Sequence, residues 1–177
     1  MARSRRRWGF HELDGRWADR LLVLADIDAG QTVLDVGAGR GVITQRLVRA
    51  GHRVIAVELH PGRADRLRHR FGPRVRVIEV DAADLRPPRR PFHVVANPPF
   101  ATTMGLVRRL VAPGSRLQSA TLIVPEHIAR RWAEPTAPGA DRWRRTFDVS
   151  FGPAVPARAF RPPPPRGARV LLIRRIR

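Results

Sequence analysis

Thr32-Val33-Leu34-Asp35-Val36-Gly37-Ala38-Gly39-Arg40-Gly41 is the stretch that decides the fold. Its first half is a nearly unbroken apolar run, the pattern of a strand covered on both faces in a parallel sheet. Glycines then stand at alternate positions, and from Val42 to Ala50 the apolar residues return at helical spacing. Strand, glycine turn and helix together make the opening unit of an α/β domain.

The pattern repeats downstream. Arg53 to Val57 reads as a second strand closing on Glu58, and Pro61 opens a helix running to Phe71. Val75 to Val80 reads as a third strand ending at Asp81, and Phe92 to Ala96 as a fourth ending at Asn97. A helix is predicted over 102–111, a fifth strand over 119–124, a short helix over 125–132 and a loop over 134–141. Two final strands, 143–151 and 168–176, flank a proline-rich link around Phe160. Upstream, Leu13, Trp17, Leu21 and Leu24 form one helical face. The alternation predicts a doubly wound, mostly parallel, seven-stranded Rossmann-like sheet with helices on both faces. At 177 residues it fills one domain, 12–177, behind a basic arm, 1–11.

Charge narrows the partner. The chain has 34 basic residues, all arginine, against 15 acidic ones, a net charge of +19. A GC-rich coding bias accounts for arginine in place of lysine, but not for a twofold excess of basic over acidic groups. That excess points to a polyanion, and nucleic acid fits arginine's planar fork. Arg5, Arg6, Arg7 and Trp8 form an arm suited to phosphate and base contact, though a plain polar tail would read the same way. Cysteine is absent and the six histidines show no ligand spacing, so neither a disulfide framework nor a metal site is expected. No apolar run reaches membrane-span length and no signal core follows the arm, so a cytoplasmic monomer is expected. The tryptophans other than Trp8 read as core residues.

Four marked positions, the glycine loop, Glu58, Asp81 and Asn97, each follow one of the first four strands. Ligands of such sheets bind at the carboxyl ends of the strands. The spacing G-x-G-x-G differs from the dinucleotide fingerprint and suits a nucleoside bearing an amino-acid tail. Glu58 can accept from both ribose hydroxyls, and Asp81 from an adenine amine. Together they describe S-adenosylmethionine, with Asp35, Gly37, Ala38, Gly39, Gly41, Glu58, Leu59, Asp81, Ala82 and Asn97 as the cofactor-binding set. Asn97-Pro98-Pro99-Phe100 holds the only asparagine of the chain and offers an amide, a carbonyl and a ring to a nucleobase amine. Asn97, Pro98 and Phe100 are therefore the candidate catalytic residues. Asparagine before proline also serves as a plain turn former.

The run from Val33 to Thr44, with Ala56-Val57-Glu58, Val80-Asp81-Ala82 and Asn97-Pro98-Pro99-Phe100, resembles the ribosomal RNA adenine-N6 methyltransferases. It is most similar to the erythromycin-resistance group, which methylates one adenine of 23S rRNA. The resemblance implies S-adenosylmethionine as cofactor, 23S rRNA as partner and macrolide-type resistance as the outcome. Phe160-Arg161-Pro162-Pro163-Pro164 matches the family's F-x-P-x-P element and implies that Phe160 holds the target base. The family's Q-N-F segment is absent, with Trp8-Gly9-Phe10-His11 in that region, and Arg166-Gly167-Ala168 replaces V-x-S. The family's C-terminal helical domain is expected to be missing. Alternatives with the same motifs are a small-subunit rRNA adenine dimethyltransferase and a DNA adenine-N6 methyltransferase, though the latter needs a target-recognition domain. A protein-glutamine methyltransferase would not need the charge. A non-catalytic RNA-binding module would not need the cofactor set.

Overall fold

The computed structural model describes residues 11–176. In chain order the elements are β1 (Glu12–Leu13), α1 (Gly15–Ala25), β2 (Thr32–Val36), α2 (Val42–Arg49), β3 (Arg53–Val57), α3 (Pro61–Phe71), β4 (Val75–Ile78) and β5 (Phe92–Ala96). They continue as α4 (Thr103–Leu110), β6 (Leu117–Pro125), α5 (Glu126–Ala133), α6 (Ala140–Trp143), β7 (Phe147–Val155), β8 (Phe160–Arg161) and β9 (Ala168–Arg175). Seven strands form one sheet, as expected from the alternation, and their order is β4-β3-β2-β5-β6-β9-β7. β4, β3, β2, β5 and β6 are parallel, and β9 runs antiparallel to β6 and β7.

Two apolar layers cover the sheet. Ala18 and Leu21 of α1, Ile43 and Leu47 of α2, and Leu67 and Phe71 of α3 pack on one face. Leu106 and Leu110 of α4, Ala129 and Trp132 of α5, and Trp143 pack on the other. Trp132 and Trp143 are buried and sit 5.6 Å apart, as expected for core tryptophans. Trp8 lies outside the described residues.

The structure corrects the carboxyl-terminal third in two places. The predicted 134–141 loop ends in α6, which takes in Trp143, so β7 starts at Phe147 rather than Trp143. The Trp143 indole is tied to the preceding loop by an Nε1–H bond to the Pro138 carbonyl, 3.0 Å. The proline-rich link is not a bare loop either. β8 pairs antiparallel with β1, Leu13 opposite Phe160 and Glu12 opposite Arg161, in a small second ribbon. Strands of two residues carry no readable periodicity, so the ribbon had no sequence signal.

Chain reversal at β2 and β5 makes the switch point. From β2 the chain passes outward to β3 and β4, and from β5 outward to β6. Leu34 stands beside Val94 and Val36 beside Val57, so extending the register brings Gly37 level with both Asn97 and Glu58. The crevice at such a point is where ligands of open α/β sheets bind.

Two local features fasten the end of β2 to α2 and α3. The Thr44 hydroxyl of α2 donates to Asp35 Oδ2 at 2.6 Å, and the carboxyl is 1% exposed. Burial pushes its pKa up to about 7, the Thr44 bond only partly offsetting the desolvation. Gly41 enters α2 at φ +85°, and a Cβ there would stand 2.8 Å from Leu67 and 2.9 Å from Phe71.

Gly41→Ala is expected to cost about 2–4 kcal/mol, from left-handed strain plus overpacking against α3, read as a lowered denaturation midpoint. Asp35 predicts a pH slope. The folded state keeps its proton to about pH 7 and the unfolded chain loses it near the ordinary value of 3.8, so this contribution falls as pH rises between the two. Asp35→Asn should flatten that slope, and urea titrations at pH 5 and pH 7.5 would show it.

Candidate active site

One pocket opens at the switch point. It is lined by the glycine loop (Gly37, Ala38), by Glu58 and Leu59 after β3, by Asp81 and Ala82 after β4, by Asn97 to Thr102 after β5, and by His11 to Leu13. The four sequence-marked regions therefore do converge.

Gly37 makes the tightest contact. At φ +77°, a Cβ on it would lie 2.8 Å from Pro99 Cδ and 3.4 Å from Pro98 Cα. Only glycine permits both that backbone conformation and that approach. The Gly37 and Ala38 N–H groups both donate to the Val57 carbonyl, at 2.8 and 3.0 Å, tying the loop to the end of β3.

Glu58 is 4% exposed and engaged at both oxygens by its own chain. Gly39 N–H donates to Oε2 at 2.8 Å, while His60 N–H and Arg63 Nε donate to Oε1 at 2.9 and 3.1 Å. A buried carboxylate needs such partners, and the charge is matched by Arg63. Each oxygen accepts about two bonds, so one acceptor position remains on Oε2. Reception of both ribose hydroxyls therefore requires one of the internal donors to move.

Asp81 is held by an Asx turn, Ala83 N–H donating to Oδ1 at 2.9 Å. The residue stands at a pocket wall beside Ala82 and Val80. The remaining members of the predicted set divide. Gly41 does not line the pocket, since its free face is the seat for Leu67 and Phe71. Gly39 acts through its N–H on Glu58. Asp35 lies at the pocket floor with its carboxyl tied to Thr44.

Asn97 carries the telling detail. Its Nδ2 donates to the His11 carbonyl at 2.8 Å, and a carbonyl can only accept, so the orientation of the amide is fixed. The opposite atom, Oδ1, is buried with no hydrogen-bond partner. An orphaned acceptor of this kind costs about 1–3 kcal/mol. In the wall of a pocket it is a place prepared for a donor. Phe100 lies alongside, its ring 5.7 Å from the His11 imidazole at a 39° tilt.

One expectation is corrected. Phe160 is 2% exposed, paired with Leu13 in the ribbon and packed in the apolar layer of α1 to α3, outside the pocket lining. In this arrangement its side chain is spent on core packing and offers almost no surface to a base. Arg5, Arg6, Arg7 and Trp8 lie outside the described residues. Among the site residues that sequence reading assigned no role is His11, grouped with the arm. Nothing in its sequence neighbourhood announces a bond to a residue 86 positions away.

No group of three or more metal-ligating side chains occurs among the described residues, and none of their helices is long and apolar enough to cross a membrane.

Comparison with known proteins agrees with this geometry. A family model described as ribosomal RNA adenine dimethylase matches residues 1–175. The rRNA methyltransferase of Streptomyces thermotolerans is 35% identical over 92% of the chain and 56% of its own length. The mycinamicin-resistance protein MyrB of Micromonospora griseorubida is 33% identical over 94% and 56%. Ribosomal RNA small subunit methyltransferase A of Anaeromyxobacter sp. (strain K) is 32% identical over 96% and 66%. The chain thus spans little over half the length of the first and second of these, and less than two thirds of the third. Among solved structures, that of the 23S rRNA methyltransferase ErmE superposes with a TM-score of 0.80 at 25% identity, covering 94% of this chain and 70% of that one. Sequence and fold agree, and the chain belongs to the ribosomal RNA adenine dimethylase family.

Proposed function

We propose that this chain transfers a methyl group from S-adenosylmethionine to the N6 amine of an adenine in 23S rRNA, acting as a cytoplasmic monomer and conferring macrolide-type resistance. The observation that carries the reading is the buried, unpartnered Oδ1 of Asn97 beside Phe100 in the switch-point pocket. Family membership, the resistance named for MyrB and the likeness to ErmE support the substrate class.

The residues present fit the cofactor. Gly37 lets the glycine loop and the Asn97-Pro98-Pro99 turn meet in one pocket wall, Glu58 Oε2 keeps an acceptor for a ribose hydroxyl, and Asp81 presents one for an adenine amine. When bound, the cofactor supplies an electrophilic methyl on a sulfonium. The chain does the rest by placement.

An adenine amine is a poor nucleophile because its lone pair is delocalised into the ring. Asn97 Oδ1 accepts one amine proton and the Pro98 carbonyl a second, which turns the lone pair out of the ring plane. The same two oxygens stabilise the positive charge that develops on the nitrogen. Phe100 stacks on the base, which must be flipped out or already unpaired. The proton leaves after transfer, so no strong general base is required. With Phe160 buried, stacking on the base falls to Phe100, whose ring the His11 imidazole backs. The surplus arginines supply sequence-independent phosphate affinity.

Asn97→Ala is expected to bind cofactor normally in calorimetry while losing about 100-fold or more in turnover. Near-normal turnover would remove Asn97 from the mechanism. The substrate assignment is tested with labelled S-adenosylmethionine on protein-free 23S and 16S rRNA, with primer-extension mapping. Label at an adenine of the macrolide site in 23S rRNA is the expected result. Label in 16S rRNA would favour the small-subunit activity named for the Anaeromyxobacter relative.

A further inference from the structure

His11 touches three parts of the site at once. Its backbone carbonyl accepts from Asn97 Nδ2 at 2.8 Å. Its ring lies 5.7 Å from Phe100. Its Nδ1 lies 2.9 Å from the Pro162 carbonyl, and since a carbonyl only accepts, Nδ1 carries the proton. Immediately after it, Glu12 pairs with Arg161 and meets Arg40 of the glycine loop at 3.4 Å.

These contacts do more than seal the pocket. An asparagine amide can be turned about its last torsion at little cost, and a turn by half a revolution presents an NH₂ where an acceptor is needed. Within the site, the His11 carbonyl is the acceptor bonded to Nδ2. That carbonyl is in turn held by the imidazole bond to Pro162 and by the β1–β8 ribbon.

We propose that His11 is a positioning residue: by holding its carbonyl against Asn97 Nδ2 and its ring against Phe100, it keeps Oδ1 presented to the target amine. The proposal rests on the methyl-transfer reading for its consequence in catalysis, but not for its geometry. His11 touches no reacting atom and acts through Asn97.

The composition of the chain provides a direct probe. Asn97 is its only asparagine, so labelling with ¹⁵N-asparagine yields a single side-chain NH₂ signal. In the wild-type protein, exchange of the bonded amide proton with water should be about tenfold or more slower than in free asparagine. His11→Ala keeps the carbonyl but removes both the ring contact and the Pro162 bond. It should speed that exchange and lower kcat by about tenfold, with cofactor affinity unchanged. His11→Phe, which restores the ring contact alone, should fall between the two. Exchange in the wild type as fast as in free asparagine would overturn the proposal, whatever the turnover. Exchange and kcat both unaltered in His11→Ala would overturn it too. A wild-type protein that methylates no RNA would instead remove the functional reading, and the wild-type amide would still decide the His11 bond.

Discussion

The close approach of Gly37 to the Asn97-Pro98-Pro99 turn is the constraint on which the site depends. Register along β2 and β5 brings the ends of these strands level, but level strands alone leave their loops free to splay. A glycine at positive φ lets the two loops meet at a distance no Cβ would allow. The Val57 carbonyl then takes two N–H groups of the same loop and closes the contact with β3. Three strand ends are thereby locked into one wall, which fixes the backbone of Asn97 and leaves its amide to be oriented by the His11 carbonyl.

Around that wall the chain settles its charges before any ligand arrives. Glu58 is nearly inaccessible, yet carries Gly39, His60 and Arg63 as donors, so its position is set by both the glycine loop and α3. Asp35, one layer deeper, has Thr44 as its side-chain partner, and its carboxyl keeps its proton to near neutrality. Burial is the main cause, and the nearby charge of Glu58 adds to the cost of ionising it. Leaving the deeper carboxyl protonated spares the outer one a buried like charge beside it.

Sequence reading recovered what periodicity and strand spacing encode. The parallel core, the switch-point residues and the sidedness of the helices all come from repeats of ordinary length. Where contacts depend on single residues far apart, the sequence was silent. The pairing of Leu13 with Phe160 and the bond from Asn97 to His11 span long stretches of the chain and leave no local pattern. Phe160 illustrates a different limit. A motif can place a residue beside a site, but whether its ring faces the pocket or the core is decided by neighbours that pack against it. Gly41 likewise looks like a loop glycine by spacing, and is in fact a packing glycine.

The β1–β8 ribbon also governs when the site can exist. His11 and Pro162 are 151 residues apart, and their bond closes a loop containing nearly the whole domain. Long-range closures form after local elements because their entropy must be met by contacts already in place. Synthesis proceeds from the amino terminus, so the Gly37 loop and Asn97 emerge and can fold before Pro162 has been made. During translation, the Asn97 wall therefore waits for the ribbon that steadies it. A nascent chain holds an incomplete pocket wall until the strand that precedes Pro162 has emerged.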